Sequence, residues 1–349
     1  RPHRGDHTVT AMGPVLGVPR SRPAEVPGGW APSRPVEESL VPATDTTPSS
    51  DGLPSGSRFP SPADDLELAT WTWDDVGGSA PRGVVQLVHG LAEHTDRYDR
   101  FARALNAAGF VVSGADTRGH GGSVSDAVPL GGFGAPGAEG FFADTAAYAD
   151  HLARQHPGLP LFAFAHSLGS MCLQNVLVAG PVPYAGVVLS GSTTLDGLVA
   201  VVQGLAADPD AGEGLAGFNA GFEPRTGFEW RSRDAAEVDA YVADPLCGFA
   251  TQDAVMGGVL ATAERTADAA ALGRLDPDLP LLLVSGDRDP VGGPGGANAT
   301  ALAERYRAAG LRDVVLRLYP GARHELVNET NRDEVTADVV AWLEAHLPA

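Results

Sequence analysis

Lysine is missing from this chain of 349 residues, in which all 24 basic side chains are arginines. Without a lysine amine there is no Schiff-base nucleophile and no P-loop lysine to grip a phosphate. Cysteine is nearly missing as well. Cys172 and Cys247 are the two present, too few for a disulfide framework or a cysteine-rich zinc site. No window approaches the roughly 18 uninterrupted apolar residues that a membrane-spanning helix needs. Positive charge is scarce: 24 basic against 44 acidic residues leave a net charge of -20. Such a surface repels nucleic acid and anionic lipid, so a nucleic-acid partner is not expected. What is there is an acidic chain, 43% hydrophobic, long enough for one large domain or two small ones.

Residues 1–65 are rich in Pro, Ser, Gly and Thr, with Pro32, Pro35, Pro42, Pro48, Pro54, Pro60 and Pro62 as punctuation. This composition reads as a disordered or loosely attached extension. It has no clear apolar core of a secretory signal, and a cytoplasmic location is expected. From residue 66 onward, short apolar strands alternate with helical stretches. Leu66–Trp73 reads as an edge strand. Gly83–Val88, Phe110–Gly114, Leu161–Ala165, Gly186–Ser190, Leu281–Ser285 and Val314–Tyr319 read as further strands. Tyr98–Ala108, Phe141–Gln155 and Val335–Leu347 read as helices. The alternation predicts an α/β fold with a mostly parallel sheet covered on both faces. Residues 192–275 break it with Gly-rich turns and weak helices, and read as a cap inserted between core strands. The core is then 66–191 plus 276–349.

The densest chemical signal is Phe162-Ala163-Phe164-Ala165-His166-Ser167-Leu168-Gly169-Ser170. An apolar strand runs into small-His-Ser-x-Gly, and a helix-forming stretch with Cys172 as a small core residue follows. That is the layout of a nucleophile elbow, with Ser167 as the nucleophile and Ala165 in place of the usual first glycine. A serine needs a histidine base, and the histidine needs a carboxylate to fix its tautomer. Downstream lie His324 and His346. His324 follows a strand through Pro320-Gly321-Ala322-Arg323, where ligand-facing residues collect in open parallel sheets; His346 sits in the last helix and reads as exposed. For the acid, Asp289 is the choice, with Asp287 as the near competitor and Asp196 as a third option; spacing alone does not separate the first two. One oxyanion donor falls on the Leu168 N–H, after the nucleophile. The second falls on Leu91, in the loop His89-Gly90-Leu91-Ala92-Glu93-His94. His89, His94 and His120 have no matching carboxylate or cysteine cluster at ligand spacing, so loop-holding hydrogen bonds are expected of them rather than a metal.

Taken together, these residues resemble the monoacylglycerol lipases and bacterial lysophospholipases, serine aminopeptidase-like α/β-hydrolases. His89–Tyr98 is similar to their HGxxEHxxRY motif, and Asp116–Ser123 to their DxRGHGxS motif. The elbow, Gly286–Asp289 and Gly321–His324 follow in the same order. The resemblance covers residues 66–349. It implies an α/β-hydrolase fold with a helical cap, a Ser167–Asp289–His324 triad and an oxyanion hole of Leu91 and Leu168. On this reading the chain is a serine ester hydrolase for monoacylglycerol-like or lysophospholipid-like esters, needing no cofactor or metal. Leu198, Val202, Leu205, Leu215, Phe218 and Phe222 of the cap are candidate acyl-pocket residues. Its partner is a small-molecule ester, with transient contact at a lipid interface. Two rival readings stand beside it. One is a prolyl aminopeptidase-like enzyme, which would use cap carboxylates such as Glu213, Glu223 and Glu229 to hold a substrate amine. The other is a silent α/β-hydrolase fold used for binding.

Overall fold

A computed structural model describes residues 54–207 and 214–348. Eight strands form one sheet: β1 (Ser55–Pro60), β2 (Glu67–Trp73), β3 (Gly83–Val88), β4 (Phe110–Ala115), β5 (Leu161–His166), β6 (Tyr184–Ser190), β7 (Leu281–Gly286) and β8 (Val314–Tyr319). Their order is β1-β2-β4-β3-β5-β6-β7-β8. The β1–β2 and β2–β4 pairs are antiparallel, and every pairing from β4 to β8 is parallel.

Alternate residues of the central strands enter two separate cores. Val84, Ala163, Val187 and Leu281 face one; Val85, Phe162, Val188 and Leu282 face the other. Burial on both faces explains why β3, β5 and β7 read as continuous apolar runs rather than alternating ones. Helices α1 (Asp99–Ala107), α2 (Gly137–Gln155), α3 (Leu168–Ala179), α4 (Leu195–Ala207), α5 (Ala235–Ala243), α6 (Asp253–Leu260), α7 (Ala263–Ala267), α8 (Ala269–Leu272), α9 (Ala297–Ala308) and α10 (Arg332–Ala345) complete the chain. Phe101 and Leu105 of α1 join Val339 and Trp342 of α10 on one face. Phe141 of α2, Met171 of α3 and Tyr306 of α9 cover the other.

Three expectations change. First, Leu66–Trp73 is not an edge: β1 hydrogen-bonds outside it, so the presumed extension is ordered from residue 54 to 65. Ser57 and Thr70 pair their hydroxyls at 2.7 Å, and Phe59 packs 5.1 Å from the Tyr148 ring. Farther on, Asp64 and Ser61 both bind the buried Arg118. Gly, Ser and Pro hid this strand, because its pairing uses backbone groups rather than an apolar pattern. Residues 1–53 lie outside the described residues.

Second, the stretch between β6 and β7 is not all over the strand ends. Its helices α6 to α8 lean on the flank of α2 and α3. Arg265 anchors them through Asn175 Oδ1 at 2.9 Å and Glu139 Oε1 at 2.9 Å. Third, His346 is half-buried, with Asp313 at 2.9 Å from its Nε2 and the Trp342 carbonyl at 2.7 Å from Nδ1.

Candidate active site

The parallel strands converge on one sheet edge, where β3, β5, β6, β7 and β8 end in the loops that carry the candidate residues. At the end of β5 the chain turns sharply. Ser167 sits at φ 50°, ψ -118°, a left-handed region that costs a non-glycine residue about 1–3 kcal/mol. Two bonds hold it there: its N–H donates to the Ser190 carbonyl at 2.9 Å, and its carbonyl accepts from Met171 N–H at 3.1 Å. Close approach sets the neighbours. A Cβ at Gly169 would collide with the Val88 and His89 carbonyls, so only glycine lets α3 cross β3 here. Ala165 is fully buried, and a small side chain suffices there.

His324 and Asp289 come from the ends of β8 and β7. Both are about 1% exposed, and Nδ1 of the imidazole lies 2.9 Å from Asp289 Oδ2. Asp289 Oδ1 also accepts from Val291 N–H at 2.9 Å, which aims the carboxylate. The other two aspartates do different work. Asp287 accepts from the Gly321 N–H at 2.7 Å, and Asp196 pairs with Arg305 at 2.9 Å on the surface. Of the two neighbouring aspartates, Asp289 is the one in contact with the His324 ring. Among the described residues, Ser167 Oγ makes no hydrogen bond with His324. The two residues nevertheless belong to one cluster. His166, next to the serine, has its ring 4.6 Å from that of His324. Burial and the His324 charge push His166 down to about 4.

The loop after β3 closes on the same spot. Gly90 has no room for a side chain, since a Cβ would lie 3.2 Å from Ser167 Cβ and 2.7 Å from Glu93 Oε1. Its backbone therefore passes right beside the serine. Among the described residues, neither the Leu91 nor the Leu168 N–H has a backbone acceptor; Leu168 opens α3, where first-turn donors are orphaned. His89 holds the loop, its Nε2 accepting from Thr117 N–H at 2.8 Å and its Nδ1 lying 2.8 Å from the Gly90 carbonyl. His120 Nδ1 lies 3.1 Å from the Arg118 carbonyl, and burial pushes this ring down to about 3.

A buried charge cluster behind the loop was not legible in the sequence. Glu93 accepts from Gly90 N–H at 2.6 Å and Tyr98 OH at 2.8 Å, and it also pairs with Arg97. Arg97 grips both oxygens of Glu325 at 2.8 Å. Arg231, just ahead of α5, pairs with Glu325 and with Glu93. Burial alone would raise Glu93, but the Arg97 and Arg231 charges win and hold it down at about 2. Glu325 is likewise held well below its usual range. The cluster fixes the ground on which His324 stands: the His324 and Glu325 N–H groups donate to the Trp230 and Arg231 carbonyls at 3.3 and 2.7 Å. Only the HGxxEHxxRY motif hinted at it; Arg231 and Glu325 are unmarked because their partners are distant in sequence.

The cap candidates fall into two groups. Phe218 stacks 5.2 Å from Trp230, whose ring lies 4.9 Å from His324, and Phe222 lies under the Arg323 guanidinium at 4.7 Å. Leu198 is fully buried in the core, while Val202, Leu205 and Leu215 are half-buried. Of the carboxylates a peptidase would need, Glu229 is occupied by Thr226, Gly227 and Asn219. Glu223 is exposed, and Glu213 lies outside the described residues. No helix among the described residues is long and apolar enough to cross a membrane.

A strained serine, an imidazole held by a carboxylate and two free amides are the parts that acyl transfer requires. Comparison with known proteins gives the family and the reaction class. The family model described as "Serine aminopeptidase, S33" matches residues 79–331. A monoacylglycerol lipase of Mycolicibacterium smegmatis is 34% identical over 79% of this chain and 92% of its own length. The monoglyceride lipase of Mus musculus is 28% identical over 82% of this chain and 90% of its own. A thermostable carboxyl esterase from Bacillus coagulans, solved with glycerol, superposes with a TM-score of 0.72. It is 26% identical and covers 85% of this chain and 99% of its own.

Proposed function

This chain belongs to the serine aminopeptidase S33 family of α/β-hydrolases and is a carboxylic ester hydrolase, and on that premise we propose that it cleaves monoacylglycerol-like or lysophospholipid-like esters through an acyl-enzyme on Ser167. The observation that carries the reading is the conjunction at one sheet edge of Ser167 at φ 50° with the His324–Asp289 pair. Ser167 Oγ attacks the ester carbonyl, and His324 Nε2 takes its proton. Asp289, bonded to Nδ1, fixes the tautomer and stabilises the imidazolium. The Leu91 and Leu168 amides hold the oxyanion, where loss of one donor is worth about 10²–10³ in rate. The proton then passes from His324 to the leaving glycerol oxygen. Water, deprotonated by the same imidazole, attacks the acyl carbonyl and releases the fatty acid and Ser167.

The partner is thus a small-molecule acyl ester taken up at a lipid interface. The part of residues 192–275 that precedes α6 serves as the cap, with Val202, Leu205, Phe218 and Phe222 toward the acyl chain; Leu198, buried in the core, does not line it. A panel of monoacylglycerols of graded chain length, lysophospholipids and aminoacyl amides tests this assignment. Turnover of medium- or long-chain monoacylglycerol or lysophospholipid supports it. Preference for the amides, or for short esters alone, overturns it.

A further inference from the structure

The loop after β3 and the segment that follows α5 meet at three side chains of metal-ligating type. His94 Nε2 lies 2.8 Å from Asp244 Oδ2, and Cys247 is buried beside them as a free thiol. One ligand atom from each lies within 4.8 Å of the other two. The sequence concealed this group, because His94 stands 150 positions from Asp244. We propose that His94, Asp244 and Cys247 form a Zn2+ site that joins the loop after β3 to the segment following α5.

The donor set is one imidazole nitrogen, one carboxylate oxygen and one sulfur, a borderline mixture that suits Zn2+ and not a hard cation such as Ca2+ or Mg2+. Tetrahedral Zn–N, Zn–O and Zn–S bonds of about 2.0–2.3 Å place ligand atoms roughly 3.3–3.8 Å apart. The longest gap closes by about 1 Å at most, while the His94–Asp244 contact of 2.8 Å opens by roughly 0.5 Å to admit the ion. The frame around them is already set. Asp244 Oδ1 accepts from Leu246 N–H at 2.8 Å, and its carbonyl accepts from Cys247 N–H at 3.0 Å, so one turn carries two ligands. Across the gap, the Ala92 carbonyl accepts from both Gly248 N–H and Tyr241 OH at 2.9 Å. Side-chain exposures of 12% at His94 and 29% at Asp244 leave a path for the ion and a water as fourth ligand. On binding, the Cys247 thiol gives its proton to solvent and the thiolate takes the metal. The hydrogen between His94 Nε2 and Asp244 Oδ2 leaves through solvent, and both atoms turn to the ion. The staple lands three residues after Leu91 and so stiffens the loop that passes Ser167.

Cobalt makes the site visible, because thiolate ligation gives a charge-transfer band that nitrogen and oxygen ligands do not. The metal-free full chain is titrated with Co2+, then with Zn2+ in competition, beside Cys247→Ser, Asp244→Asn and, as control, Cys172→Ser. The proposal predicts one Zn2+ per chain, a thiolate–cobalt band, a rise in Tm with Zn2+ and loss of the band in Cys247→Ser but not in Cys172→Ser. Removing a ligand weakens binding by more than the ~10–100-fold that outer-shell changes cost. Cys247→Ser is near-isosteric, so a folded variant, checked by circular dichroism, is expected. A wild-type cobalt spectrum without thiolate character overturns the proposal, as does Zn2+ affinity equal in wild type and Cys247→Ser.

Discussion

A few side chains decide whether this site can work, and they act through burial and charge. Glu93, Arg97, Arg231 and Glu325 are all nearly out of water. Two carboxylates and two guanidiniums there balance only as a set. Removing one leaves a buried charge unpaired, which costs about 3–5 kcal/mol. Arg231→Met is therefore expected to lower stability by about that amount in urea unfolding. A loss below about 1 kcal/mol would mean that the cluster is wetter than its geometry implies. Asp289→Asn tests a different kind of residue. It keeps the shape at His324 but offers the wrong hydrogen-bond partner, so kcat is expected to fall about 10⁴-fold with little change in Tm. Ser167, His324, Leu91 and Leu168 could be named as candidates because a motif carries each of them. Arg231 and Glu325 were not, since no local pattern announces an ion pair across 94 positions.

Elements were read best where burial on both faces forces an apolar run, as in β3, β5 and β7. They were missed where pairing rests on backbone groups and small polar side chains. The strand β1, hidden in a Pro- and Ser-rich stretch, shows this most plainly. Its one large apolar anchor is Phe59, 9% exposed and seated against Tyr148 and His151. Phe59→Ala is expected to destabilise by about 3–5 kcal/mol, read as a fall in Tm; an unchanged Tm would return β1 to the status of a loose extension. Across the sheet, Gly169 lets α3 rise over β3. Because an added methyl would strike two backbone carbonyls, Gly169→Ala is expected to displace the elbow and cut activity far more than Ala165→Gly does. Equal activity in both would show that the crossing is not tight. The short helices of residues 192–275 escaped detail because none carries a long amphipathic stripe.

The molecule as a whole carries a net charge of -20 and several buried histidines held neutral. Burial and a neighbouring histidine's charge bring His120 to about 3 and His166 to about 4, both below the ordinary 6.5. An unfolded chain therefore binds these protons first on acidification. Stability is full above pH 6.5 and falls as pH drops toward 4, by about 1.4 kcal/mol per unit for each histidine once the unfolded form is protonated. Below the usual carboxylate range, Glu93 and Glu325 add to the loss with the same sign. Urea midpoints between pH 7 and 4 check this. A flat profile across that window would contradict the buried, neutral histidines.

The central claim is that Ser167 forms the acyl-enzyme. Its most direct test is intact-mass and peptide-mapping analysis after exposure to a serine-directed fluorophosphonate, with monoacylglycerol hydrolysis measured beside it, for wild type and Ser167→Ala. The account predicts one adduct per chain on the peptide bearing Ser167. In Ser167→Ala it predicts no adduct and a loss of turnover on the order of 10⁶-fold. An adduct on another serine, or hydrolysis that survives in Ser167→Ala, would contradict it.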